Sequence, residues 1–272
     1  MTEQPQDPPG TRSIRLEVEV PGTPEEVWEA IASGPGITAW FVPATVEGRE
    51  GGTVTMSFGP GMEESGTVQA WDPPHRFRYG TESPRGKLAC EWIVEARDGG
   101  SCVVRLINSG FGTDAGWDAD YDAMTGGWKL FMHNLRLYLT HFKGRPCTSV
   151  LINGIGHTSV AESWRTLTAS IGLPATAGVG DRVEARTCET VLAGTVDRVS
   201  EGMLTIVLDD PAPGVVFFSA EGAGDMVVMA EYLYLFGGDA ATVAAKVEPA
   251  WRSWMASTFP MPQEQDASAP AG

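Results

Sequence analysis

The chain has 272 residues, 42% of them hydrophobic, with nine Trp, ten Phe and ten Met; that is enough apolar mass for one large or two ordinary domains and excludes disorder across its body. The formal net charge of −16 is carried by both halves, −7 over residues 1–145 and −9 over 146–272, and no Lys/Arg cluster interrupts it. Such a balance repels phosphate backbones and anionic lipid, so neither nucleic acid nor a membrane is an expected partner.

The first twelve residues, MTEQPQDPPGTR, lack the basic start and apolar core of a secretion signal, and no run reaches the roughly 18 apolar residues of a membrane span, so the expected location is the cytoplasm. Residues 1–12 and 260–272 are rich in Pro, Gln, Ala and acid and read as flexible tails. Residues 13–20, SIRLEVEV, alternate with Ile14, Leu16, Val18 and Val20 on one face, as a half-buried strand does. Thr23-Pro24-Glu25-Glu26 then supplies a cap, Pro at the first helical position and Glu three residues past the cap. Val27, Trp28 and Ile31 form the apolar stripe of that helix, and Gly34-Pro35-Gly36 is expected to break it before the aromatic pair Trp40 and Phe41.

From Ala44 onward, period-two runs follow one another: Val54/Met56/Phe58, Val68/Ala70, Phe77/Tyr79, Leu88/Cys90/Trp92/Val94 and Cys102/Val104/Leu106. Gly51-Gly52, Gly59-Pro60-Gly61, Asp72-Pro73-Pro74 and Asp98-Gly99-Gly100 punctuate them, which predicts an antiparallel meander. After Gly112 the period becomes helical, with Trp117, Tyr121, Met124, Trp128, Phe131, Met132, Leu135, Leu139 and Phe142 on one side and His133 and His141 pointing away. The apolar face of the meander is the surface that can cover this helix, so the sheet should wrap around it.

The second half echoes the first. Glu26 and Trp28 correspond to Glu162 and Trp164 at an offset of 136, while Gly52 and Gly66-Thr67-Val68 correspond to Gly180 and Gly194-Thr195-Val196 at an offset of 128. The eight missing residues fall where the first half carries GITAWFVP. Strands are expected near 182–185, 195–199, 203–208, 215–219 and 226–236, and a helix over 240–258.

Motif by motif, most special chemistry falls away. The pairs Gly34/Gly36, Gly154/Gly156, Gly178/Gly180 and Gly222/Gly224 never continue to a third Gly before a helix, so they read as turns rather than as a phosphate cradle. His75, His133, His141 and His157 have no partner at metal-ligand spacing, and no Gly-x-Ser-x-Gly elbow occurs; no metal, cofactor or catalytic residue is expected. Cys90, Cys102, Cys147 and Cys188 show no C-x-x-C spacing and read as small buried hydrophobes. Asp114, Asp118, Asp120 and Asp122 suit the start of a helix.

Residues 13–145 resemble the START-like, helix-grip superfamily (SRPBCC), and within it the branch of homologues of the activator of the heat-shock protein 90 ATPase. The resemblance is carried by Thr23 to Trp28, Trp40-Phe41 with Pro43, Gly51-Gly52, Gly66-x-Val68, Asp72-Pro73-Pro74 before Phe77, Gly110-Phe111, and Gly127-Trp128 with Leu135, Tyr138 and Leu139. It implies an α+β fold in which a seven-stranded antiparallel sheet grips a long C-terminal helix around a cavity that in many relatives takes an apolar small molecule. With the internal repeat, this gives a START-like domain over 13–145 and a degenerate second helix-grip copy over 146–259.

The residues expected to bind an apolar or aromatic ligand are Trp40, Phe41, Phe58, Tyr79, Trp92, Asn108, Tyr121, Met124, Trp128 and Met132, with Trp40 and Phe41 as a movable lid. Gly126 and Gly127, which cost roughly 1 kcal/mol each against Ala in a helix, suggest a break, a close approach or room left for something else. Two other readings stand beside binding: a polyketide cyclase or aromatase-like enzyme using Tyr79, Asn108 and Tyr121, and a module acting on a chaperone. A second copy of the chain, through a homodimer, and a chaperone are the macromolecular partners these readings allow.

Overall fold

The computed structural model describes residues 7–59, 61–83, 86–223 and 226–261, in two compact units that divide between Pro146 and Cys147. The first unit starts with strand β1 (Thr11–Pro21), then helices α1 (Pro24–Ala32) and α2 (Gly34–Thr38), strands β2 (Ala44–Val46), β3 (Thr53–Ser57), β4 (Glu63–Asp72), β5 (Arg76–Ser83), β6 (Gly86–Arg97) and β7 (Ser101–Gly112), and helix α3 (Asp118–Leu137). A 3-10 turn, Ala115–Trp117, precedes α3 and a π-type turn, Tyr138–Phe142, extends it. The seven strands pair antiparallel in the order β1-β7-β6-β5-β4-β3-β2, so the meander closes with β1 beside β7.

The capping signal at Thr23 works as its residues require: Glu26 N donates to Thr23 Oγ1 (3.3 Å) and Thr23 N donates to Glu26 Oε2 (2.9 Å). The Gly34-Pro35-Gly36 stretch corrects the expectation of a plain break, because it opens α2. Ser33 ends α1 and caps α2 through Gly36 N (2.9 Å), with Pro35 in the first turn. Gly36 passes so close to α1 that an added Cβ would meet Glu29 O at 2.0 Å. Of the expected tails, residues 1–6 and 262–272 lie outside the described residues. Residues 7–12 carry structure: Asp7 accepts from Ser13 Oγ and Arg15 Nη2, and Thr11 and Arg12 already pair with Gly112 and Phe111.

The second unit holds β8 (Cys147–Gly156), α4 (Val160–Ser170), β9 (Arg182–Arg186), β10 (Val191–Ser200), β11 (Met203–Asp210), β12 (Gly214–Ala223), β13 (Met226–Phe236) and α5 (Ala240–Thr258). Its sheet runs β8-β13-β12-β11-β10-β9, the order of the first sheet without β2, and nothing corresponding to α2 stands between α4 and β9. The helix-grip fold is thus present twice in tandem.

Local detail follows the repeat. Ser159 caps α4 by accepting from Glu162 N, as Thr23 does for α1. Gly51 N donates to Val68 O and Gly180 N donates to Val196 O, both glycines at positive φ (74° and 92°), so Gly180 corresponds to Gly51 rather than to Gly52. Gly66 and Gly194 each lie where a Cβ would strike a carbonyl of the next strand, Gly80 O at 2.6 Å and Val207 O at 2.1 Å.

The core of the second unit gathers Val227, Met229, Leu233 and Leu235 of β13 with Phe218 and Trp251, whose rings lie 5.7 Å apart. Strand parity puts Glu231 on the same face as Met229 and Leu233, between Phe218 and Ile152 of the neighbouring strands. It is fully buried, and neither carboxyl oxygen has a hydrogen-bond partner in the protein; Trp251 Nε1 is likewise unpaired. Burial pushes the Glu231 carboxyl well above its ordinary value of 4.5, against a smaller opposing pull from Arg252. A carboxyl raised in the folded state carries no penalty below its unfolded pKa and destabilises as pH rises through the folded one. Unfolding measured between about pH 5 and about pH 9 should therefore show the native chain losing stability as pH rises. Glu231→Leu should be flatter with pH and more stable by about 1–3 kcal/mol at neutral pH; a less stable Glu231→Leu would refute the account.

Candidate functional site

Strand parity selects the side chains that face α3 in the first unit. Val54 and Met56 come from β3, Tyr79 and Thr81 from β5, Leu88 and Cys90 from β6, and Asn108 from β7. Gly110, at φ 104°, forms a bulge opposite Arg12 and Ser13 that returns Phe111 to the inner face. Between these residues and α3 lies a cavity of about 600 Å³, to which the helix contributes Asp120, Ala123, Met124, Gly127, Trp128 and Phe131.

An aromatic wall bounds the cavity. Phe41 lies 5.2 Å from Trp128, 4.5 Å from Phe131 and 5.7 Å from Phe58, ring centre to ring centre. Behind Phe41 stand two further indole rings. Trp40 stacks on Phe41 (5.7 Å) and meets Trp92 edge-on (5.6 Å), and Trp92 meets Trp128 (5.6 Å). Further along, Trp28, Trp71 and Phe77 pack edge to face.

Of the ten residues expected at the site, six line the cavity: Phe41, Phe58, Tyr79, Asn108, Met124 and Trp128. The other four lie elsewhere. Trp40 is a core residue rather than a lid: it is 1% exposed, its indole N–H donates to Ala30 O (2.9 Å), and its own carbonyl accepts from Asn134 Nδ2. Trp92 is buried in the plug behind the wall, and Met132 is buried on α3 away from the cavity lining. Tyr121 turns toward β1, where its hydroxyl donates to Ser13 O (3.2 Å) and Arg12 lies over its ring (4.2 Å). Arg12 also pairs with Asp118, so this corner of α3 is fastened to β1.

The polar groups inside are few. Asn108 is used at both ends, accepting from Trp128 Nε1 (3.1 Å) and donating to Ala89 O (3.1 Å). Tyr79 OH has Met56 Sδ at 3.9 Å as a weak acceptor, and burial pushes its pKa well above 10. Cys90 is buried beside it and pushed up to about 12, again by burial. Both groups are neutral at physiological pH.

Glu64, Gly66, Thr81 and Asp120 also line the cavity and were not expected there. The signal existed for the first two, since counting back by twos from buried Val68 reaches Gly66 and Glu64. Gly127 lines the cavity too, and a Cβ there would meet nothing within 4 Å, so at Gly127 the structure supports room, whereas Gly126 is exposed to solvent.

The cysteines divide. Cys90 and Cys102 are buried as expected, whereas Cys147 is half-buried and Cys188, in the turn between β9 and β10, is exposed. Among the described residues no three His, Cys, Asp or Glu stand together as metal ligands, and no helix is long and apolar enough to cross a membrane.

Residues 21–140 match the family model for activator of Hsp90 ATPase homolog 1-like proteins, within the first unit. No curated protein matches the chain. Among solved structures, the di-domain ARO/CYC BexL from the BE-7585A biosynthetic pathway is 13% identical, covering 93% of this chain and 99% of its own, with a TM-score of 0.45. The Aha1 dimer from Colwellia psychrerythraea is 17% identical over 49% of this chain and 99% of its own (TM-score 0.43). Protein MLL2253 from Mesorhizobium loti is 19% identical over 48% of this chain and 98% of its own (TM-score 0.44). The seven-stranded antiparallel sheet around α3 gives the first unit the helix-grip fold.

Because neither helix glycine is needed for a close approach, Gly126→Ala and Gly127→Ala should each raise the stability of the first unit by about 0.5–1 kcal/mol in urea unfolding. A loss at Gly127 would show that its bare backbone fits something the geometry does not reveal.

Proposed function

We propose that the first unit is a binding protein for an apolar or aromatic small molecule, held between the sheet and α3. The observation that carries this reading is the cavity of about 600 Å³, within the range of small-molecule sites, with aromatic walls and a helix that leaves Gly127 without a side chain to fill it. The polar groups inside favour binding over catalysis. Asn108 spends both ends of its amide on Trp128 and Ala89, Tyr79 and Cys90 hold their protons too firmly to serve as base or nucleophile, and Tyr121 is engaged with Ser13.

Native mass spectrometry of the protein from its own host should find a co-purifying small molecule on the first unit. In calorimetry the uncharged probe 2-naphthaleneethanol should bind the intact chain. Gly127→Phe, which puts a ring into the cavity, should weaken that binding by at least about ten-fold while the exposed Gly126→Ala leaves it unchanged. Equal binding by all three proteins would remove the cavity from the account.

The family match over residues 21–140 favours a second reading, contact with an Hsp90-type chaperone. Its expected sign is a changed chaperone ATPase rate on adding this chain; an unchanged rate at saturating chain would dismiss it.

A further inference from the structure

We propose that the cavity selects uncharged ligands whose aromatic or apolar body carries a carbonyl oxygen, and that the hydroxyl of Tyr79 donates a hydrogen bond to that oxygen. The inference rests on the binding reading above and adds the functional group by which the ligand is oriented.

The sheet sets the position of this hydroxyl. Tyr79 of β5 pairs in register with Val68 of β4 and Cys90 of β6, and it lines the cavity together with Cys90 and Met56. Its ring lies 5.4 Å from that of Phe77, which is fully buried, and Tyr79 itself is only 5% exposed. The phenol is therefore a fixed part of the wall rather than a surface group.

The oxygen and the proton of the hydroxyl are unequally served. An indole N–H can only donate, so the hydrogen bond between Trp92 and the phenol uses the phenol oxygen. The proton is left with sulfur: Met56 Sδ lies 3.9 Å away, and among the described residues the other side-chain acceptor is the Cys90 thiol. Thioether and thiol sulfur are both weak acceptors. Burial holds the phenol well above its ordinary value of 10, so this donor keeps its proton throughout the physiological range.

A ligand that fills the cavity excludes water from the hydroxyl. It then either supplies a better acceptor or leaves a buried donor on sulfur alone. A hydrocarbon offers the proton nothing. An alcohol accepts, but brings a proton of its own that has to find another acceptor inside, and a carboxylate brings a full charge that one neutral phenol does not compensate. A carbonyl meets the need and adds none.

Two probes isolate the carbonyl: 1-tetralone and tetralin, which differ by C=O against CH2, titrated into the intact chain by calorimetry. Tyr79→Phe removes the hydroxyl and keeps the ring. In that variant the ratio of the two affinities should shift by about ten-fold against the ketone, and its binding of tetralin shows that it is folded. Tyr121→Phe, which removes a phenol hydroxyl outside the lining, should leave the ratio as it is in the native chain. The carbonyl stretch of bound 1-tetralone, read by infrared difference with a 13C-carbonyl label, should lie at lower frequency in the native chain than in Tyr79→Phe.

If both probes bind and neither the ratio nor the stretch changes in Tyr79→Phe, the carbonyl assignment is wrong and the binding reading survives. An equal shift of the ratio in Tyr121→Phe assigns the effect to a general loosening of the first unit and overturns the bond to Tyr79. Failure of both probes to bind the native chain removes the binding reading and this inference with it.

Discussion

Phe41, seated between Trp128 and Phe131, decides how much of the space under α3 is solid and how much is open. Each aromatic contact of this kind is worth about 0.5–1.5 kcal/mol beyond the area it buries. The wall is held from behind. Trp40 is fixed by hydrogen bonds at its indole and its carbonyl, and it reaches that position because α2 turns the chain back immediately after α1. A helix of five residues thereby sets the floor of a cavity formed mainly by strands and by α3.

The second unit keeps the strand order and omits the segment that builds this wall. Where the first unit has α2 and β2, the second has a short connection whose Ile171 and Leu173 are buried in the core, with Trp251 of α5 against Phe218. A polar residue, Glu231, has entered the center of that core without a partner for its carboxyl. Two copies of one architecture have thus arrived at different interiors: one leaves room in front of an aromatic wall, and the other gathers an apolar core around a neutral acid.

Elements with a sustained period were legible in the sequence. The alternation of 13–20 and of the meander, the long helical stripe after Gly112 and the cap at Thr23 all reflect burial acting on many residues at once, and burial leaves a repeating mark. Helix α2 is too short to leave one, so its glycines and proline read as a break. Depth is also invisible to a period: Trp40 and Phe41 are adjacent and equally apolar, yet one is tied to backbone atoms in the plug and the other faces open space. Tyr121 shares the apolar stripe of α3 but is drawn to β1 by Arg12 and Ser13, partners 109 and 108 residues away in sequence that no local pattern announces. Glu64 and Glu231 could have been found by parity alone, one counted back from Val68 and the other between Met229 and Leu233.

The uneven fate of the four thiols has a practical side. Cys90 and Cys102 are sealed in the first unit, and Cys147 is half-covered with its thiol held protonated, its pKa pushed up to about 12, whereas Cys188 stands in solvent on a turn of the second unit. A maleimide fluorophore offered to the folded chain near neutral pH would therefore mark a single address, in the unit that does not contain the cavity. That makes the native chain ready for single-site labelling without removing any cysteine.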